Sequence, residues 1–164
     1  MNIEGLEDLF GYQLQHAYYV ERAHVELLAE MADDASNDDV RDRFVTHRDR
    51  TETQIERLER VFGALGRRPR ANRSGTADGL ADSRRSPPDA DDQIVPDDLE
   101  RALLAERLEI RSYESLLRLA GRLAYADDIV EPLEANLAEE REALAELEDL
   151  EDEVAIEELL RPGA

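Results

Sequence analysis

The chain is 164 residues long, with 41 acidic and 20 basic side chains, a net charge of −21 and no cysteine. That length suits one domain with its own core, and the missing cysteine excludes disulfides, thiolate metal sites and cysteine nucleophiles. All 20 basic residues are arginine, too few and too outnumbered for the cation cluster that DNA, RNA or anionic lipid requires; the acidic excess instead predicts a solvated surface adapted to high salt, as in an extreme halophile.

The opening stretch, MNIEGLEDLF, has neither the basic flank nor the apolar run of a secretory signal, which predicts a cytoplasmic protein. A first helix, A, is expected from about residue 4 to 33. Its stripe is Leu6, Phe10, Leu14, Ala17, Glu21, Val25, Leu28 and Met31, at steps of three and four. Ser36 or Asn37 is the expected N-cap of helix B, which spans about 39 to 65. The B stripe reads Val40, Phe44, His47, Thr51, Gln54, Leu58, Phe62 and Leu65, polar in the middle and apolar at both ends, and Gly66 is its expected stop.

Residues 67–96 are rich in Pro, Gly, Ser, Asp and Arg and read as a loop, with a short helical turn over Thr76 to Asp82. A connection this long lets a second helical hairpin run back along the first. Helix C is expected over 97–123, with Leu99, Leu103, Glu106, Glu109, Tyr113, Leu116 and Ala120 on its stripe. Helix D is expected over 127–149, with Ile129, Leu133, Asn136, Glu140, Leu144 and Leu147, and with Pro132 in its first turn. The tail, 150–164, either extends D or forms a short fifth helix. No segment alternates like a strand, and none approaches the ~20 apolar residues of a membrane span. The reading is a single all-α domain, a four-helix bundle with a long B–C crossover.

Glu21, Glu106, Glu109 and Glu140 stand inside these stripes, where leucine would be expected. A carboxylate in a helical core is costly unless it meets a cation, a hydrogen-bond donor or a proton. Each lies near the middle of its helix, so antiparallel packing would bring them to similar heights. Hard divalent cations take oxygen ligands, and iron or manganese also accepts imidazole. Glu21-x-x-His24 places a carboxylate and an imidazole on one face of A, and His47 adds an imidazole from B. The same residues also read as a metal-free salt-bridge and hydrogen-bond network with Arg50, Thr51, Gln54 and Tyr113.

Several stretches together carry a resemblance. They are Leu6-Glu7-Asp8-Leu9-Phe10, Tyr18-x-x-Glu21, His47-x-x-x-Thr51-x-x-Gln54-Ile55-Glu56-Arg57-Leu58-Glu59, Gly79-Leu80, Glu106-x-x-Glu109-Ile110-x-x-Tyr113 and Asn136-Leu137-x-Glu139-Glu140. Through them the chain resembles the YciE/YciF group of ferritin-like stress proteins, whose domain has no assigned function. The resemblance implies a ferritin-like bundle, a dinuclear iron or manganese centre, a link to stress and assembly as a dimer. Carried over by position, Glu21, Glu106, Glu109 and Glu140 would be ligands, with His24 and His47 available to an altered site. Where that group usually has a glutamate before the threonine, this chain has Arg50. Arg50 is therefore expected to pair with Glu21 or Glu109 as an internal counter-ion in the ion's place. Ala143 and Leu144 give helix D no second ligand. Three functions stay open: a reduced or altered iron or manganese site, a metal-free scaffold held by Arg50, and a peroxide-consuming di-metal enzyme, which the gaps in B and D disfavour.

Overall fold

Two antiparallel hairpins of long helices pack face to face, joined by a crossover that carries a short helix of its own. The computed structural model describes residues 3–36, 38–85 and 98–160, and among these it holds five helices and no strand. They are α1 (Leu6–Asp34), α2 (Asp38–Ala64), α3 (Gly75–Arg85), α4 (Asp98–Leu123) and α5 (Asp127–Leu160). Asn37 and Asp97, two of the expected helix-start residues, and the terminal 161–164 lie outside the described residues. No described helix is long and apolar enough to cross a membrane.

The helices form a square in which α1 touches α2 and α4, and α5 touches α4 and α2. One apolar cluster joins Phe10, Leu14, Leu58, Phe62, Leu116 and Leu133, and another joins Leu28, Met31, Phe44, Leu103 and Leu147. The start of α1 thus meets the end of α4, and the start of α2 meets the later part of α5. It follows that α2 finishes at the end of the bundle where α1 begins, whereas α4 begins where α1 finishes. The crossover has to travel the length of the bundle, which is why it is long.

Local chemistry sets the boundaries. Gly66 takes φ 65°, and the amide of Arg67 bonds back to the carbonyl of Phe62 at 2.9 Å, closing α2 with the left-handed turn its position predicted. In α3, the Ser74 hydroxyl accepts from the Ala77 amide at 3.3 Å and caps the first turn. This helix runs past the predicted 76–82 to Arg85 because both ends are tied down. Tyr19 donates to Asp78 at one end, and Arg84 reaches Asp98 and Asp34 at the other, at 2.9 and 2.7 Å. The backbone of the tail continues α5 as far as Leu160, so among the described residues the tail extends the fourth long helix. Pro132 is the sixth residue of α5, a turn deeper than predicted, and leaves the Asp128 carbonyl without its helical amide.

Candidate metal centre

Between the two apolar clusters the core changes character. A band of buried polar side chains crosses the bundle: Glu21 and His24 from α1, His47, Thr51 and Gln54 from α2, Glu106 and Glu109 from α4, and Asn136 and Glu140 from α5. Spacing by three places Glu21 with His24, and Glu106 with Glu109, on the inward face of one helix each. All six predicted side chains meet here. Glu21, Glu106, Glu109 and Glu140 are each no more than 1% exposed, His24 3% and His47 7%, so water cannot solvate their charge. Their ligand-capable atoms gather in two triads, His24–His47–Glu106 and Glu21–Glu109–Glu140, each with its atoms within 4.8 Å of one another.

The protein itself satisfies only part of this cluster. Tyr113 donates its hydroxyl proton to Glu21 Oε1, and Asn136 Nδ2 donates to the Tyr113 oxygen at 2.8 Å. His24 Nδ1 lies 2.9 Å from both oxygens of Glu109. Glu21 Oε2, both oxygens of Glu106, both oxygens of Glu140 and Nε2 of both histidines have no hydrogen-bond partner. His47 Nε2 does approach Glu106 Oε1 at 3.1 Å, but the contact is out of line for a hydrogen bond. Glu106 and Glu140 lie against one another, yet as carboxylates they offer no donor, and a bond between them requires a shared proton. Buried polar atoms are otherwise almost always paired.

Electrostatics follow from that crowding. Burial, with Glu109 and Glu140 nearby, pushes the Glu21 carboxyl well above the usual range, against the pull of Tyr113. Burial and the carboxylates of Glu140 and Glu109 do the same to Glu106. Glu140 is raised to about 8 by burial and by Glu109. Burial opposes the charge of His24, but the hydrogen bond and charge of Glu109, with Glu140 beyond, together outweigh it and raise the imidazole. His47 is lowered to about 3 by burial, by His24 and by Arg50. In the metal-free protein these acids hold protons that a bound cation would displace.

Arg50 does not take the role expected of it. Its guanidinium points outward, 3.9 Å from Glu142 and 3.6 Å from Glu146 on the flank of α5, not to Glu21 or Glu109. It sits one residue before the inward Thr51, about 100° round the helix, and the long side chain leaves over the rim. Both partners are more than half exposed, so Arg50→Ala is expected to change stability by less than about 1 kcal/mol in chemical denaturation. A loss of several kcal/mol would instead restore Arg50 as the counter-ion of the buried acids.

The arginine that does brace the band is Arg57, part of the helix B stretch that carries the resemblance but a residue to which the sequence alone assigns no role. It pairs in bidentate fashion with Glu139 at 2.6 and 2.7 Å and donates to Asn136 Oδ1 at 3.0 Å. That holds Asn136 where its amide can donate to both Tyr113 and the Gln54 carbonyl. The signal was present in the sequence: Arg57 lies one turn beyond Gln54, and Glu139 directly precedes Glu140.

The centre has two unlike sides. A cleft of about 190 Å³ reaches His47 between Asp42, Arg43, Thr46, Arg50 and Glu146. On the opposite side, a cavity of only about 10 Å³ abuts His24, and its wall is apolar: Val20, Leu27, Leu80, Ala105 and Leu108, with α3 as the cover.

The whole bundle has relatives of known structure. YcfI from Rhodopseudomonas palustris superposes with a TM-score of 0.80 at 33% identity, covering 90% of this chain and 95% of that one. The stress protein YciF of Escherichia coli gives 0.78 at 27%, covering 90% and 94%. In sequence, Protein YciF of E. coli strain K12 is 27% identical over 154 residues, 92% of each chain. A protein of Xanthomonas campestris pv. campestris shares the fold, with a TM-score of 0.73 at 21% identity. The bundle, its crossover and the match of residues 5–160 to the Domain of unknown function DUF892 agree, and the chain belongs to that family.

Proposed function

We propose that this DUF892 protein binds iron or manganese between its four long helices, in a stress-associated role of the kind named for E. coli YciF. One observation carries the reading. Five carboxylate oxygens and two imidazole nitrogens are buried together with no hydrogen bond from outside their own cluster, and the arginine that could have neutralised them faces outward. The donor set fits a first-row divalent ion, since carboxylate with imidazole suits iron and manganese. Charge fits as well, because four carboxylates balance two divalent ions. Bound there, such an ion would supply Lewis acidity and redox capacity. The chain's own part is to fix the ligands: Tyr113 orients Glu21, Glu109 orients His24, and Arg57 with Asn136 anchors Tyr113.

The test is elemental analysis of protein purified without chelators, followed by titration of the stripped protein with Fe(II) and Mn(II). The expected result is at least one tightly held equivalent. Less than about a tenth of an equivalent, with no uptake on titration, would sink the proposal.

A further inference from the structure

We infer that the centre is two chemically unlike subsites: His24, His47 and Glu106 form a nitrogen-rich seat for a zinc- or ferrous-type ion, and Glu21, Glu109 and Glu140 form an all-oxygen seat for a manganese- or magnesium-type ion. This rests on the core binding metal at all, but it goes further, because it assigns different ion classes to two halves of one cluster.

The donor atoms make the division. His24 directs Nδ1 at both oxygens of Glu109, 2.9 Å from each, so Nε2 is the nitrogen it has left for an ion. That turns His24 Nε2, which has no hydrogen-bond partner, toward the rest of its triad. His24 Nε2 and His47 Nε2 both converge on one oxygen, Glu106 Oε1, from 3.8 and 3.1 Å. The two rings stand nearly edge to face, with centroids 5.1 Å apart, so each Nε2 can reach a common point. Two imidazoles with one carboxylate is a donor set that suits zinc and non-haem ferrous ions.

The second triad contains no nitrogen. Tyr113 occupies Glu21 Oε1, leaving Oε2, and Glu140 presents two unpartnered oxygens. Three carboxylates and no imidazole favour hard ions such as Mn(II) or Mg(II). Glu109 serves both halves: it belongs to the oxygen triad and orients the histidine of the nitrogen triad. The triads are therefore adjacent but not equivalent.

The experiment uses the full-length protein stripped of metal. Its three histidines give separate imidazole resonances by ¹⁵N NMR, with His16, which lines a cleft elsewhere beside Arg111 and Ser115, as an internal control. One equivalent of Zn(II) is expected to shift His24 and His47 and leave His16 unmoved. Mn(II) added next is expected to bind without displacing the Zn(II), read by electron paramagnetic resonance. His47→Gln is expected to weaken Zn(II) by at least about tenfold and leave Mn(II) unchanged, and Glu140→Gln to do the reverse. Imidazole resonances unmoved by Zn(II), one-for-one competition between the two ions, or equal weakening of both by either variant would overturn the inference while leaving metal binding intact. A parent protein that takes up no ion overturns both proposals. The NMR titration needs no variant, so a substitution that fails to fold does not spare the idea.

Discussion

Glu140→Leu is expected to make the metal-free protein more stable than its parent, by about 1 to 4 kcal/mol at pH above 8, because it replaces a buried, unpartnered carboxylate with an apolar side chain of similar size. In a chain of this size each kcal/mol moves the melting temperature by roughly 2–4 °C. The gain depends on pH, and its sign can be worked out. Folded Glu140 titrates at about 8, far above an unfolded glutamate. Below the ordinary carboxylate range both states hold the proton, and the group costs the parent no ionisation penalty. As pH rises from there to about 8, unfolding releases a proton that the fold retains, and the parent loses stability through this group. The advantage of Glu140→Leu should therefore open as pH rises and level off past about 8. Thermal melts of both proteins in chelator across that range decide the matter. A variant less stable than the parent at high pH would mean that a cation already neutralises Glu140.

The second large effect is the response of the parent to metal. Fe(II) or Mn(II) at 100 to 1,000 times its dissociation constant is expected to add about 2.7 to 4.1 kcal/mol, reversed by chelator. Because the ion must displace protons from Glu21, Glu106 and Glu140, this stabilisation grows as pH rises, opposite in slope to the metal-free protein. His47, neutral down to about 3, does not oppose it. A chain with net charge −21 also attracts cations loosely to its surface, so the control matters. An undiminished rise in a Glu106→Gln, Glu140→Gln double variant would place the ions on that surface and not in the core.

Much of this centre was legible in the sequence, because helical spacing is a strong signal. Glutamates inside otherwise apolar stripes had to face the core, and Glu21-x-x-His24 had to share a face. The fold was legible for the same reason, reinforced by the length of residues 67–96. What was not legible depended on where long side chains turn at the edge of a stripe. Arg50 and Arg57 occupy similar rim positions of α2, yet Arg50 swings to Glu142 and Glu146 while Arg57 grips Glu139 and Asn136. Period alone cannot separate those two, since the choice is made by α5, a partner distant in sequence. The division of the six candidate ligands into two triads was hidden likewise, because it depends on rotamers and not on register.

The two triads draw on both hairpins. His24 and His47 come from the first and Glu106 from the second; Glu21 comes from the first and Glu109 and Glu140 from the second. An ion held in either seat therefore fastens one hairpin to the other, closing the loop that runs through the long crossover. A chain without cysteine would gain from its metal what other small domains gain from a disulfide, a covalent-like staple between distant segments, and one that any chelator or drop in pH could undo.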